Sequence, residues 1–140
     1  MGTMRRKRIL IVEDEEALAR TLKARLESVG YEVQTETHGK AALSYATAHT
    51  VDLAILDVNL PDINGYEVTR ELRSLYHAWA LPILMLTVKD RPVDQLRGLA
   101  HGADVYITKP FDSTELFQAV DLLTGGTAPV PGAEPEAELP

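Results

Sequence analysis

The sequence contains no cysteine, and this absence excludes both a disulfide framework and a thiolate metal site. Its four histidines, His38, His49, His77 and His101, are scattered without the spacing of metal ligands. We interpret them as solvated surface residues. Any metal bound by this chain is therefore expected to be a hard cation with oxygen ligands.

Long apolar runs are also missing, because no stretch approaches the ~20 residues of a membrane-spanning helix. The run from Ile9 to Val12 follows a basic segment, but it is too short for the core of a signal peptide and ends in acidic residues. We therefore expect a cytoplasmic protein that does not associate with a membrane.

Charge is distributed unevenly along the chain. The net charge is −7 over 140 residues, although residues 5–8 read Arg-Arg-Lys-Arg. This basic run could contact a phosphate, but a solvated stub is the simpler interpretation. The rest of the chain is acidic, which argues against nucleic acid as a direct ligand.

Composition divides the chain into three parts. Residues 1–7 are a basic N-terminal stub, and residues 8–124 have the length and apolar pattern of one domain with a sizeable core. Residues 125–140 are rich in proline, alanine and glutamate and cannot bury enough apolar surface to fold. We predict that this last segment is a disordered tail or linker.

Five short apolar runs alternate with five helical patterns. The predicted strands are residues 9–12, 31–35, 53–56, 82–87 and 105–108. The predicted helices follow them and begin near residues 13, 39, 65, 92 and 112. This alternation is typical of an α/β domain with a parallel sheet and helices on both faces. We expect a doubly wound sheet in the order 2-1-3-4-5.

The fourth and fifth helices have clear sequence signals. Pro92 is suited to a first helical position, because its missing N–H would be unpaired there anyway. Leu96, Leu99 and Ala100 line this helix at helical spacing. Asp112, three residues before an acidic side chain, has the pattern of a cap for the last helix.

One carboxylate stands at the end of the third apolar run. Asp57 directly follows Leu53 to Leu56, and a turn signal follows it. It should therefore lie at the carboxyl edge of a central strand, where open α/β sheets bind ligands. The expected strand order places Glu13 and Asp14 on one side of Asp57. Thr87 and Lys109 end the strands on its other side.

The chemistry of these five strand ends is complementary. Three carboxylates that lie close together repel unless a cation or protons intervene, and Mg²⁺ suits such oxygen ligands. Lys109 is a point charge suited to a phosphate oxygen, and Thr87 can donate a hydrogen bond to another. A carboxylate can be a phosphoryl nucleophile, and Asp57 is the central one. The alternative is five ordinary strand-end residues.

Four motifs resemble the receiver domain of two-component response regulators. They are ILIVEDE, ILDVNLPDINGYE, ILMLT and GADVYITKPF, and the resemblance covers Arg8 to about Leu123. It implies a flavodoxin-like (βα)5 fold and a signalling switch rather than an enzyme. It also implies reversible phosphorylation of Asp57 by a histidine kinase or histidine phosphotransfer protein.

The resemblance also assigns site residues. It implies that Mg²⁺ is held by Asp14, Asp57 and the backbone carbonyl of Asn59, with Glu13 acting mostly through water. Thr87 would be the switch hydroxyl and Lys109 a phosphoryl-binding residue.

Further implications concern the output. Tyr106 would move inward behind the switch hydroxyl, and the peptide bond between Lys109 and Pro110 would be cis. The surface of the fourth helix, fifth strand and last helix would change and could bind an effector or a second copy of the chain.

Two departures from the usual family pattern affect finer expectations. Val88 stands where a smaller alanine is common, and Lys89 follows it, so both could obstruct the water that hydrolyses the aspartyl phosphate. Asn59 could instead orient that water, and we expect a long phosphoryl lifetime. Val105 replaces an acid that contributes to a charged dimer interface in one large DNA-binding subfamily.

Two other classes remain as alternatives at this stage. Phosphatases and phosphotransferases with an aspartate nucleophile tend to carry paired aspartates on the first strand, whereas this chain has Asp57-Val58-Asn59 on the third. A flavin- or nucleotide-binding module would need a glycine-rich phosphate loop after the first strand, where this chain has four acidic residues. Turnover of aryl phosphates or a copurifying yellow chromophore would identify these classes.

Overall fold

Five strands alternate with five helices along the described part of the chain. A computed structural model describes residues 6–76, 80–88 and 91–126. The strands are β1 (Arg8–Val12), β2 (Glu32–Glu36), β3 (Leu53–Leu56), β4 (Ile83–Thr87) and β5 (Val105–Thr108). The helices are α1 (Glu16–Ser28), α2 (Gly39–Ala48), α3 (Gly65–Leu75), α4 (Pro92–Ala100) and α5 (Ser113–Thr124).

The strands pair in parallel in the predicted order β2-β1-β3-β4-β5. The central strands are continuous apolar runs because helices cover both faces of the sheet, and every residue of β3 and β4 is buried. In the register, Val12 lies opposite Leu56, and Thr87 lies opposite Thr108. The carboxyl ends of these four strands therefore meet at one edge.

Two buried clusters lie on opposite faces of the sheet. One contains side chains of α2 and α3, among them Ala42, Val68 and Leu72. The other contains side chains of α1 and α5, among them Leu26 and Leu116. The predicted α/β architecture with helices on both faces is therefore confirmed.

The apolar stripe predicted on the fourth helix faces solvent. Leu96, Leu99 and Ala100 are all exposed, and Leu96 retains 67% of its accessible surface. Among the described side chains of α4, only that of Asp94 is buried. Helical spacing predicted the helix correctly but does not determine which face of it packs on the sheet.

Side chains cap several helix starts. Asn64 accepts a hydrogen bond from the backbone N–H of Glu67 at the start of α3, and Asp112 caps α5 as predicted. The start of α2 has no cap from its own N-cap residue. Asp62, in the loop between β3 and α3, accepts hydrogen bonds there from the N–H groups of Gly39 and Lys40, both at 2.8 Å.

Some predictions fall outside the described residues. They concern residues 1–5 of the basic N-terminal stub, His77, Lys89 and residues 127–140 of the tail. No helix within the described ranges is both long and apolar enough to cross a membrane.

Candidate functional site

The five predicted strand-end residues converge on the carboxyl edge of the sheet. Glu13 and Asp14 follow β1, and Asp57 follows β3. One carboxylate oxygen from each of these three residues lies within 4.8 Å of the others. The predicted acidic cluster is therefore present in the fold, with Glu13 and Asp57 buried and Asp14 exposed.

Lys109 neutralises part of this charge. Its Nζ lies 2.8 Å from Oε1 of Glu13 and 3.0 Å from Oδ2 of Asp57. Desolvation acts to lower the pKa of Lys109, but its hydrogen bonds to Glu13 and Asp57 outweigh this effect. The pKa of Lys109 is therefore raised above the ordinary value for lysine. The ammonium group therefore stays charged between the two buried carboxylates.

Glu13 is the most buried of the three acids, with 3% of its surface accessible. Its second carboxylate oxygen, Oε2, accepts a hydrogen bond from the backbone N–H of Glu15 at 3.1 Å. Desolvation raises its pKa, and the hydrogen bond from Lys109 opposes that rise. The buried position of Glu13 thus depends on the cation beside it.

The backbone N–H and the side chain of Asp57 each form a hydrogen bond with a backbone group. Its N–H donates to the carbonyl of Val12 at 3.0 Å, and its Oδ1 accepts from the N–H of Asn59 at 3.1 Å. The start of α3 lies directly against it, because a Cβ on Gly65 would approach the Asp57 carbonyl oxygen to 2.2 Å. The sequence indicated that Gly65 belongs to a turn and begins the third helix, but it did not indicate this close approach, which requires glycine.

Thr87 supplies a polar atom without a protein partner. The residue is fully buried, and its Oγ1 has no hydrogen-bond partner among the described residues. The backbone beside it is paired, since the N–H of Lys109 donates to the Thr87 carbonyl at 2.8 Å. Buried hydroxyls are rarely left unpaired, so this one is available to a ligand oxygen.

Tyr106 lies on β5, half-buried, and packs against the buried cluster on the α2–α3 face. On α3, the hydroxyl of the buried Tyr66 donates to the backbone carbonyl of Asp94 at 3.2 Å. Desolvation raises the pKa of Tyr106, so its hydroxyl stays protonated. Tyr66 was not identified from the sequence, where nothing distinguishes it from an ordinary apolar-face residue.

Val88 directly follows β4, and Asn59 lies two residues beyond Asp57 in the chain. Val88 and Asn59 are both exposed, so their side chains border the solvent side of the site. The peptide bond between Lys109 and Pro110 is cis, as the resemblance implies.

The donor set fits a magnesium ion. Mg²⁺ prefers oxygen ligands, is bound by one or two carboxylates and keeps waters that face an open side. Here two buried carboxylates adjoin the exposed Asp14, and a buried hydroxyl without a partner among the described residues lies on the neighbouring strand end. The same edge of the sheet therefore offers carboxylate oxygens to a cation. It also offers a hydroxyl and an ammonium group to an anion.

Doubly wound α/β domains bind their ligands at the switch point of the sheet, and here that point carries an acidic cluster and a lysine. The comparison with known families is more specific. The model of the response regulator receiver domain family matches residues 9–121. The chain therefore belongs to this family and is a receiver domain of a two-component system, which is a regulatory domain.

Curated relatives support the same family. The response regulator ArlR of Staphylococcus saprophyticus is 44% identical over 113 residues, and that of Staphylococcus aureus is 46% identical over 112 residues. These alignments cover 81% and 80% of this chain but 50% of each relative. The chain thus spans about half the length of the curated relatives it matches.

Solved structures show the same fold. A CheY-like receiver domain protein from Methanospirillum hungatei has a TM-score of 0.80 at 30% identity, covering 85% of this chain and 94% of that one. The response regulator TrrA from Thermotoga maritima, solved in complex with Mg(2+)-BeF, has a TM-score of 0.75 at 37% identity. That match covers 84% of this chain and 98% of TrrA.

Proposed function

We propose that Asp57 is the phosphoryl acceptor of this receiver domain. The observation that carries the proposal is the position of Lys109, whose ammonium group lies 3.0 Å from Asp57 Oδ2. A phosphoryl group on Asp57 would lie beside this cation and the Thr87 hydroxyl, which has no hydrogen-bond partner among the described residues. Asp57 also follows β3, the central strand of the sheet.

The proposed reaction is an in-line transfer from a phosphohistidine or a small acyl phosphate. An Asp57 carboxylate oxygen attacks phosphorus, the bond from phosphorus to the leaving group breaks, and the leaving group departs with its electron pair. Lys109 neutralises charge on the transferred oxygens. Thr87 donates its hydroxyl proton in a hydrogen bond to one of them.

The acceptor can be identified by intact mass after incubation with acetyl phosphate and Mg²⁺, followed by borohydride trapping and peptide mapping. Wild type should gain one phosphoryl group on the peptide that contains Asp57, and Asp57→Ala should gain none. Label at the wild-type level in Asp57→Ala would exclude the assignment.

The bound cation is proposed to be Mg²⁺, held by Asp14, Asp57 and the backbone carbonyl of Asn59, with Glu13 acting mainly through water. When bound, it would neutralise charge on the transferred phosphoryl oxygens. The exposure of Asp14 and the engagement of Glu13 by Lys109 support this division of roles. Calorimetric titration should show a larger loss of Mg²⁺ affinity in Asp14→Ala than in Glu13→Ala. Equal or reversed losses would show that the inner and outer roles are exchanged.

The proposed partners follow from the class. A histidine kinase or histidine phosphotransfer protein would donate the phosphoryl group, and the domain would catalyse only its own phosphorylation and dephosphorylation. The surface formed by α4, β5 and α5 is proposed to contact an effector or a second copy of the chain. We also propose a cytoplasmic location, no direct binding of nucleic acid, a domain from residue 8 to 124 and a linker after it.

A further inference from the structure

The loop between β3 and α3, residues 57–64, carries both Asp57 and Asn59 of the proposed magnesium site. Asp57 would contribute a side-chain carboxylate, whereas Asn59 would contribute its backbone carbonyl. A side chain can adjust by rotation about its own bonds, but a backbone carbonyl is placed only by the conformation of its loop. Mg²⁺ demands near-ideal octahedral geometry, so the position of this loop should affect how tightly the ion binds.

Hydrogen bonds within the loop fix its shape. The N–H of Gly65 donates to the carbonyl of Val58 at 2.8 Å and closes the loop at its base. The N–H of Leu60 donates to the same carbonyl at 3.2 Å. The N–H of Asn59 donates to Oδ1 of Asp57 at 3.1 Å. These bonds join the loop only to itself and to the first residue of α3, so they do not fix it against any other element.

Asp62 attaches the far side of the loop to the start of α2. Its Oδ1 accepts a hydrogen bond from the N–H of Gly39, and its Oδ2 accepts one from the N–H of Lys40, both at 2.8 Å. Ile63 packs on the same helix start, because a Cβ on Gly39 would approach its Cγ1 to 2.7 Å. The carboxylate of Asp62 therefore caps α2 and also holds the loop against that helix.

We propose that Asp62 is a positioning residue for the magnesium site, because it fixes the loop that presents the Asn59 carbonyl. It is not itself a ligand in this proposal, since the acidic cluster found among the described residues does not include it. The inference rests on the proposed function, which assigns Mg²⁺ to Asp14, Asp57 and the Asn59 carbonyl. It connects the first turn of α2, which supplies no ligand, to the affinity of the site for its cation.

The energetic argument concerns a loop that must be ordered before the ion can bind. Where only a fraction of the molecules holds the loop in the binding arrangement, the apparent affinity falls by that fraction. A net hydrogen bond corresponds to a factor of about two to ten in an equilibrium constant. Asp62 is exposed, and hydrogen bonds in contact with water are weaker than buried ones. We therefore expect loss of its carboxylate to weaken Mg²⁺ binding about threefold.

The test is calorimetric titration of the full chain with Mg²⁺ at pH 7, in wild type, Asp62→Ala and Asp62→Asn. Asp62→Ala should bind about threefold more weakly than wild type. Asp62→Asn removes the same charge but keeps one acceptor oxygen, so its affinity should lie between those of the other two proteins. Equal losses in the two variants would attribute the effect to charge alone and overturn the inference.

Asp112→Ala is the matched control. Asp112 also caps a helix at this edge of the sheet, since its Oδ1 accepts from the N–H of Thr114 at 2.9 Å at the start of α5. Its loop contains no proposed metal ligand. The substitution removes one helix cap and one negative charge, and it should leave Mg²⁺ affinity close to that of wild type. A loss equal to that in Asp62→Ala would overturn the inference, because any lost cap at this edge would then have the same effect.

Amide hydrogen exchange in the metal-free protein gives a second readout. In Asp62→Ala, the N–H groups of Gly39 and Lys40 lose their acceptor and should exchange faster, whatever the role of the loop. The N–H groups of Asn59 and Leu60 should also exchange faster, because the loop is no longer held against α2. Unchanged exchange at these two amides, or wild-type Mg²⁺ affinity in Asp62→Ala, would overturn the inference.

Asp14→Ala separates this inference from the proposed function, because Asp14 is a proposed ligand. Loss of Mg²⁺ affinity in Asp14→Ala, with none in Asp62→Ala, would leave the proposed site intact and reject only the role of Asp62. Failure of wild type to bind Mg²⁺ would reject the proposed cation site and, with it, this inference.

Discussion

The helices α3 and α4 both follow strand ends at the functional edge, yet they attach to the domain in opposite ways. The buried residues of α3 are Gly65, Tyr66, Val68, Thr69 and Leu72. Among the described side chains of α4, only that of Asp94 is buried. The leucines and the valine of this helix are exposed. The helix beside Asp57 is therefore packed into the core, whereas the helix beyond Thr87 is not.

The two helices at this edge of the sheet therefore differ in how easily they can be displaced. Full burial of a leucine side chain is worth roughly 1.5–3 kcal/mol, so each such contact makes displacement of α3 more costly. The backbone of Asp57 is further fixed by the close approach of Gly65. A helix with few buried apolar side chains can be displaced at lower free energy, as switching elements generally require.

The largest expected effect compares one leucine from each helix. Leu72 on α3 is fully buried, whereas Leu96 on α4 is mostly exposed. Leu72→Ala should lower the free energy of unfolding by about 3 kcal/mol, because it leaves a cavity in the core. Leu96→Ala should change it by less than about 0.5 kcal/mol. Urea unfolding at pH 7 measures both, and similar losses would mean that α4 packs as firmly as α3.

A smaller effect is expected at the loop that precedes α3. Asp62 joins that loop to the start of α2 through two backbone N–H groups. Desolvation raises its pKa, but the N–H groups of Lys40 and Gly39 outweigh this and lower the pKa to about 2. Asp62→Ala should cost about 1 kcal/mol at pH 7, as the loss of a helix cap usually does.

The pH dependence of this effect has a defined sign. Because the pKa of Asp62 is lower in the folded protein, its stabilisation is present above about pH 4 and is lost as the pH falls through about 2. The stability difference between wild type and Asp62→Ala should shrink over that range. Asp62→Asn keeps one acceptor oxygen and should show a smaller, pH-independent loss. A difference that grows on acidification would contradict the assigned pairing.

The smallest expected effect is kinetic and concerns Val88, in the loop between β4 and α4. Val88 follows β4, and 60% of its surface is exposed at the solvent side of the site. If its bulk obstructs the attacking water, Val88→Ala should speed loss of the phosphoryl group about twofold, equivalent to about 0.4 kcal/mol of barrier. Phosphate release after donor removal measures the rate. Val93→Ala, an equivalent truncation on exposed α4, should leave the rate unchanged, and a slower rate in Val88→Ala would exclude obstruction.

Most of the fold was predictable from the sequence because its central strands are short apolar runs that end in charge or hydroxyl. The position of Asp57 directly after such a run, with Lys109 directly after another, determined their placement at one edge. The strand order then followed from the rules for doubly wound sheets. Predicted and observed boundaries differ by one residue at β1, β2 and β4.

Other features depend on tertiary contacts that local patterns do not encode. Helical spacing on α4 predicted an apolar stripe, but spacing does not determine which face of the helix packs, and here Asp94 is buried while the leucines are exposed. The capping of α2 by Asp62 joins positions 22 and 23 residues apart in the chain. The steric need for Gly65 likewise appears only when α3 is placed against the Asp57 carbonyl.

The central claim is that a phosphoryl group on Asp57 changes the surface that includes α4 while α3 stays in place. Amide NMR spectra of the wild-type protein with Mg²⁺, recorded with and without beryllofluoride, test it most directly. We expect shifts around Asp57 and Thr87 that extend through α4 and β5 but decline along α3 after its first turn. Shifts confined to the loops around Asp57, with Val93 to His101 and Val105 to Ile107 unchanged, would contradict the account.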